Sequence, residues 1–557
     1  MMIPSSHPFQ RFPVSAMQNS FLRRPAVRRL RWLLSGAALL ALGACSVAPK
    51  PILDAEHLDR AKSDYAVLFS DQPPLSGPLS LHEAVARALK FNFDKRLAMM
   101  ETVLQERQLD LSTYNMLPRL AADAGYTTRN NDAASSSFSV LTGRQSLEPS
   151  VSQDRQRWTA DLAFSWNLLD FGVSYFQAKQ QADRAMIAVE RKRRVVNNMI
   201  KEVRAAYWRA ATAQRLLPKI DPILAEAEKA RAASLEIEKQ QLQPVVETLE
   251  YQKNLLQVVG QLKRLKSDLT VAKAQLAALI NVPPLSDYTL DVPKADAPAM
   301  NLKKLTVAPA RLELAALASR PELREEAYQA RVDRNSLYKE LIKLLPGATL
   351  LGSLNYDSNS YLKNQVWAEA GFRATWNLVG LISAPATIAA SEAQEEVTRT
   401  RRLALSVAVL TQVNISYQQL DRALEVYETA DAVESIETRI MKAVNDGGAL
   451  EARSDLDRIR RSLSAISAEL ERDRALAELQ TALASLYISV GMDPIPASLE
   501  IGPLPALTVA IKDALAQVDS GAFPNLPELP EPPKPVAAEP EAQAEMAAAP
   551  APAGAVP

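Results

Sequence analysis

The chain has 557 residues, enough for several average domains, yet only 17 glycines, and its 64 Lys and Arg are matched by 64 Asp and Glu. Few glycines among many alanines and leucines is the composition of long helices and coiled coils. The zero net charge excludes a broad phosphate-tracking surface, since nucleic-acid binders carry an excess of Lys and Arg, and no basic patch stands clear of a helical face.

At the N-terminus Arg23, Arg24, Arg28, Arg29 and Arg31 precede the apolar run Trp32 to Leu42, which is too short to span a bilayer stably and reads as a secretory signal. The run ends in Leu42-Gly43-Ala44-Cys45, and this resembles the lipobox of bacterial lipoproteins, in which the cysteine is acylated and becomes the mature N-terminus. The resemblance implies a lipoprotein signal peptide over 1–44 and lipidation, palmitate included, at Cys45; the stretch before Arg23 is long for a signal, so translation is expected to start at Met17. Cys45 is the only cysteine, so no disulfide forms within the chain. Ser46 follows it rather than the Asp that lipoprotein sorting uses for inner-membrane retention, which points to the outer membrane. Residues 45–78 are expected to be an extended segment.

From Leu79 the chain repeats itself. Ala88-Leu89 through Asp94 and Arg96 run in step with Ala316-Leu317 through Glu322 and Arg324, and the same offset carries Pro118 onto Pro346. Trp166-Asn167-Leu168 recurs as Trp376-Asn377-Leu378. The spacing divides the chain into a first repeat at 79–282, a linker at 283–312, a second repeat at 313–494 and a C-terminal segment at 495–523.

After each proline the period becomes two. Trp158, Ala160, Leu162, Phe164, Trp166 and Leu168 alternate with Thr159, Asp161, Ala163, Ser165 and Asn167, and Val366, Ala368, Ala370, Phe372, Ala374, Trp376 and Leu378 alternate with Trp367, Glu369, Gly371, Arg373, Thr375 and Asn377, which puts apolar groups on one face of a strand. With shorter strands before them, these predict β-hairpins at 120–168 and 349–378. Each strand is roughly ten residues, the length that crosses a bilayer when tilted, and Trp158, Trp166, Trp367 and Trp376 near the strand ends suit an aromatic girdle.

The remainder is helical. Long helices are expected from Tyr175 to Gln241 and from Pro385 to Asn445, the first interrupted in its pattern by Pro218 and Pro222, where interior prolines remove hydrogen bonds and kink. Leu255, Val258, Leu262, Leu265, Leu269, Ala272, Leu276 and Leu279 form a coiled-coil seam, repeated by Leu456, Ile459, Leu463, Ile466 and Leu470. Distal turns fall at Gln240 to Pro244 and near Gly447 and Gly448, where paired glycines allow a tight reversal. Residues 524–557, rich in Pro, Ala and Glu, lack the apolar side chains to fold and are expected to be disordered.

The ordered set, from Leu79 to Pro494, resembles the TolC-type outer membrane efflux protein family. It rests on the duplicated plan, the proline before each hairpin, the Trp-Asn-Leu ends and Leu276 to Pro283. The resemblance implies a mainly α fold with a small transmembrane β part: long coiled-coil helical hairpins in two repeats, and four strands per chain in a trimeric twelve-stranded barrel continued by an α-helical periplasmic tunnel. It implies a homotrimer anchored in the outer-membrane lipid of a Gram-negative bacterium, a periplasmic adaptor (membrane fusion) protein and an inner-membrane pump as partners, and passive conduction as the exit duct of a tripartite efflux or type I secretion system. Four strands cannot close a barrel, so some oligomer is required on strand count alone.

Near the distal turns Asp446 and Asp455 would each appear three times around a trimer axis, and such rings select by charge. Arg439 and Arg453 are candidate lock partners, since the family places acidic residues and a salt-bridged lock at this entrance; Asp446 can equally cap the turn. No nucleophile, base or metal cluster is legible, because His7, His57 and His82 have no ligand spacing. No catalytic residue, cofactor or metal is therefore expected, and no nucleic-acid partner. The alternative is a lipid-anchored periplasmic coiled-coil adaptor or scaffold without a pore.

Overall fold

The computed structural model describes residues 49–528 except 71, 76, 147, 241–243, 285, 293–306, 448–454, 497–498, 500 and 525, with the backbone alone at 444–447 and 455–456. Cys45, Gly448, Arg453, the centre of the linker and the tail from 529 lie outside the described residues. The chain divides into one unit up to Ser70 and a second from Asp71 onward. The first holds helix α1, Asp54–Leu68, which buries none of its residues. An extended segment was expected here; the stretch lacks Gly and Pro, and Asp54 and Glu56 in the first turn favour the helix dipole.

In the second unit the duplication is structural. Helices α2 (Leu81–Phe91) and α3 (Phe93–Tyr114) lead into strand β1 (Arg119–Thr128). The short strands β2 (Ala134–Ser135) and β3 (Ser150–Val151) follow, then β4 (Gln156–Asn167), and helices α4 (Leu168–Lys239) and α5 (Val245–Leu279) complete the first copy. The second copy is α6 (Pro309–Ser319), α7 (Pro321–Ile342), β5 (Gly347–Asp357), β6 (Val366–Thr375), α8 (Leu378–Gly447) and α9 (Asp455–Val490), with α10 (Leu504–Asp519) after it. No described helix is apolar enough over its length to cross a membrane.

Both long helices begin seven residues earlier than expected, at Leu168 and Leu378. The repeated Trp-Asn-Leu explains it: Asn167 Oδ1 accepts from the Leu169 N–H at 2.9 Å, and Asn377 Oδ1 from the Gly380 N–H at 3.2 Å. Each motif is a strand end followed by a helix N-cap. Pro218, Pro222 and Pro385 all sit inside helices that continue through them. Asn92 caps α3 by accepting from Asp94 and Lys95 N–H, and Ser80 caps α2 through Glu83 N–H.

The four long strands form one antiparallel sheet in the order β1-β4-β5-β6, and β2 and β3 pair separately. Each of the four long strands is continued by a helix: α3 enters β1, β4 leaves into α4, α7 enters β5 and β6 leaves into α8. Those helices pack as α3-α4-α7-α8, the order of the strands, so the sheet passes directly into a helical wall. Farther along, α5 lies on α4, α4 on α9 and α9 on α8. The shorter α5 and α9 thus take over from α3 and α7 while α4 and α8 run the whole length; at 1.5 Å per residue the 72 residues of α4 extend about 108 Å.

The predicted seam is the core of that lower wall. Leu255, Val258, Leu262, Leu269 and Ala272 of α5 meet Leu216, Ile220 and Ala227 of α4 and Ile459, Ile466 and Leu470 of α9. At the level where α5 and α9 end, α10 docks Leu507, Ile511 and Leu515 against α2 and α4; nothing in the sequence reading marked it as a helix.

Candidate functional site

The sheet register pairs even-numbered residues with even and odd with odd across all four strands. The even face carries Leu120, Tyr126, Trp158, Leu162, Phe164, Leu350, Leu354, Val366 and Phe372, each between 36% and 69% exposed. Exposed apolar side chains gathered on one face in this way mark a contact with membrane or protein. On the odd face lie Asp123, Asp161, Ser165, Thr349, Ser353, Asn355, Glu369 and Arg373.

Trp158 belongs to the even face and stacks on Tyr126 at 4.7 Å between centroids. Trp166 does too, edge-on to Phe171, and Trp376 lies one residue past β6, its Nε1 donating to Leu344 O at 3.0 Å. Trp367 departs from the expected girdle: its odd register puts it on the polar face, where Nε1 donates to Glu369 Oε1 at 2.8 Å.

On the polar face Asp123 stands directly opposite Asp161, followed at the same level by Asn355 and Trp367. Turned with its amide nitrogen toward Asp161, Asn355 donates to Oδ1 at 3.1 Å. Glu369 lies at the next odd level, opposite Ser353. Like charges directly opposed weaken an isolated strand pair, so this level spends sheet stability on negative potential.

The outer edges of β1 and β6 have no strand partner among the described residues. The helices continuing those edges are bare as well: Leu97, Leu104 and Leu111 of α3 are 54–66% exposed, and Val379, Ile382 and Val407 of α8 are 64–81% exposed. Both flanks therefore lack backbone partners and apolar cover together. With four alternating strands, β6 of one copy and β1 of the next run antiparallel, so copies can add edge to edge and abolish the edges.

At the distal turns, α4 closes with Gln240 N–H donating to Glu236 O, and Pro244 precedes α5. The backbone brings Asp446 and Gly447, at the end of α8, and Asp455, at the start of α9, to the same pair of helix ends, and Arg439 is exposed two turns before them on α8. Nearby, Glu434 pairs with Arg472 at 3.4 Å and Glu437 accepts from Ser464. Sequence reasoning missed the polar rungs between α4 and α9: Arg215 and Lys219 bond Glu469, and Arg215 also meets Asp473. Their signal was two basic and two acidic residues at matching four-residue spacing, facing each other in the fold.

Between α7 and α8 a groove of about 700 Å³ is lined by Glu326, Asp333, Arg334, Thr398, Arg399 and Arg402 among others. Burial raises the Glu326 carboxyl above its ordinary range, with Arg401 opposing and Asp333 and Glu325 adding to the shift. Its Oε1 is buried without a hydrogen-bond partner among the described residues. A raised folded-state pKa stabilises the fold below the ordinary glutamate range, and the contribution is lost as pH rises through the folded value. Glu326→Gln is therefore expected to melt higher than the parent at pH 7.5, and thermal melts at descending pH should show the gap closing.

No family profile and no curated protein matches the sequence. Among solved structures the chain is similar to the outer-membrane channel OprN, at a TM-score of 0.56 and 17% identity over 74% of this chain and 89% of that one. It is similar to the CmeC outer membrane channel of Campylobacter jejuni, at 0.59 and 13% identity over 84% and 97%. The open state of the MtrE outer membrane channel of Neisseria gonorrhoeae gives 0.55 and 16% identity over 76% and 94%. At these identities the likeness establishes the fold, that of the TolC-type outer-membrane channels, matched along nearly their whole length.

Proposed function

We propose that the protein is an outer-membrane exit duct, passively conducting substrate for a tripartite efflux or type I secretion system. The observation that carries this reading is a sheet apolar on one face and polar on the other, open at both edges and continued strand by strand into a helical wall. Closure by copies puts the apolar face against lipid and the polar face around a lumen. Three copies supply the twelve strands of the barrel, Cys45 the lipid anchor, and the helical wall the tunnel that a periplasmic adaptor and an inner-membrane pump engage. Asp446, Asp455, Arg439 and Arg453 stand at its entrance, where Gln240, Pro244, Gly447 and Gly448 turn the helices. The chain is a conductor and breaks no bonds.

Planar-bilayer recording of the detergent-purified protein, with its mass measured on the same sample, tests this. Discrete ion-selective openings from a trimer are expected. A water-soluble, non-conducting species would remove the barrel and leave the pore-less anchored scaffold.

A further inference from the structure

The 27 residues between β1 and β4 are folded on one another. Arg129 N–H donates to Arg155 O, and Arg155 makes two 2.6 Å bonds to Asp132. β2 pairs with β3 above them, and Phe138 bridges to Gln145. The base of the loop is stapled to the turn between β5 and β6. Asn359 accepts from Asp154 N–H and donates to Ser152 O, while Ser360 N–H and Oγ both donate to Asp154.

That staple sits toward the polar side of the sheet. Asp357 is an odd-face residue, paired with Arg157 of the same face at 3.3 Å, and it accepts from Asn359 N–H. Asp357 and Asn359 are only 9% and 4% exposed, covered by the loop base. At the tip the pattern reverses: Phe138, Val140 and Leu141 are 67%, 94% and 97% exposed. They are presented on a turn fixed by Ser139 N–H to Arg144 O and Gly143 N–H to Ser139 O.

We propose that this loop is a lid over the outer mouth of the duct, and that its apolar tip is covered by the same tip of the neighbouring copies, forming a hydrophobic constriction; the inference rests on the duct reading. Two observations select a second copy as the occupant. The loop grows from β1, the edge strand at which copies join, so the tip continues that interface. Residues 133–143 carry no charge, with Arg144 the first charge on the returning side, and around a symmetry axis, where identical residues face each other, an uncharged tip avoids self-repulsion. An apolar ring of this kind restricts ions by excluding water.

The test uses the full, membrane-assembled protein. Leu141→Cys, at a position open to solvent in the single chain, is expected to give a disulfide-linked dimer band under mild oxidation that reductant removes. The parent and Glu148→Cys, outside the apolar tip, should give none. Phe138, Val140 and Leu141 replaced together by serine should raise single-channel conductance about twofold or more by admitting water and ions to the constriction. Absence of the dimer, or a conductance equal to the parent's, overturns the lid while a conducting parent leaves the duct standing. A parent that neither conducts nor oligomerises overturns the duct itself.

Discussion

Gly491→Val is expected to abolish the folded, membrane-assembled protein. Gly491 follows α9 with φ +78°, and a Cβ placed on it would lie 2.6 Å from Arg320 N and 2.7 Å from Ser319 C, at the joint between α6 and α7. Nothing flexible is in the way, only backbone. The same joint is held by Arg193 from the other repeat, whose Nε bonds both Asp493 oxygens at 2.7 Å and whose Nη groups donate to Ser319 O and Gly491 O. A side chain here adds about 1–2 kcal/mol for the left-handed backbone and about 1–3 kcal/mol for overpacking. Displacing Arg193 leaves the mostly buried Asp493 carboxylate short of its partner, a further loss on the order of 3 kcal/mol. Those losses rival the roughly 5–15 kcal/mol that separates folded from unfolded domains. Asn281 holds the equivalent position in the first copy at φ 58°, where the neighbouring joint leaves room for a side chain. Asn281→Gly is thus the matched control, expected to change the melting temperature by a few degrees at most, on the order of 1 kcal/mol. A Gly491→Val variant that assembled and melted like the parent would mean the two helix ends do not approach as closely as described.

The contrast between those two joints shows what sequence could and could not reveal. Repetition was legible because the same local chemistry was used twice: Asn167 and Asn377 each end a strand and cap a helix, and the two-residue period of β4 and β6 follows directly from one face being apolar. The coiled-coil seam was legible for the same reason, Leu255 through Leu276 keeping a spacing that only a helix pair rewards. What stayed hidden depends on partners distant in the chain. Arg193 and Asp493 are 300 residues apart, and neither looks unusual until α4 passes the end of α9. Helix α10 is recognisable only once α2 supplies the surface on which Leu507, Ile511 and Leu515 close. Trp367 was grouped with the girdle by residue type, although its place in the two-residue alternation already set it with Glu369 and Arg373 on the polar face.

Asp123→Asn combined with Asp161→Asn is expected to remove most of the cation preference of the duct. The two carboxylates face each other across β1 and β4 on the polar face, so the trimer proposed above would gather six at one level of its lumen. At roughly 10 Å from the axis each contributes about 0.4 kcal/mol in water before screening. Over a Debye length of about 8 Å at physiological salt that falls to about 0.1 kcal/mol apiece. Six of them favour a cation at the axis by about 0.7 kcal/mol and oppose an anion equally, so the cation-to-anion permeability ratio should drop about tenfold in the double variant. Reversal potentials across a salt gradient read this directly. The effect must also shrink at 1 M salt, where the Debye length is about 3 Å. A selectivity loss that ignored ionic strength would point to a changed pore shape instead of a lost field. Thermal stability should move the other way, because removing two like charges held opposite one another relieves repulsion worth a few tenths of a kcal/mol in the sheet, roughly. A variant that is more stable and less selective together would identify this level as one where the fold gives up stability for function.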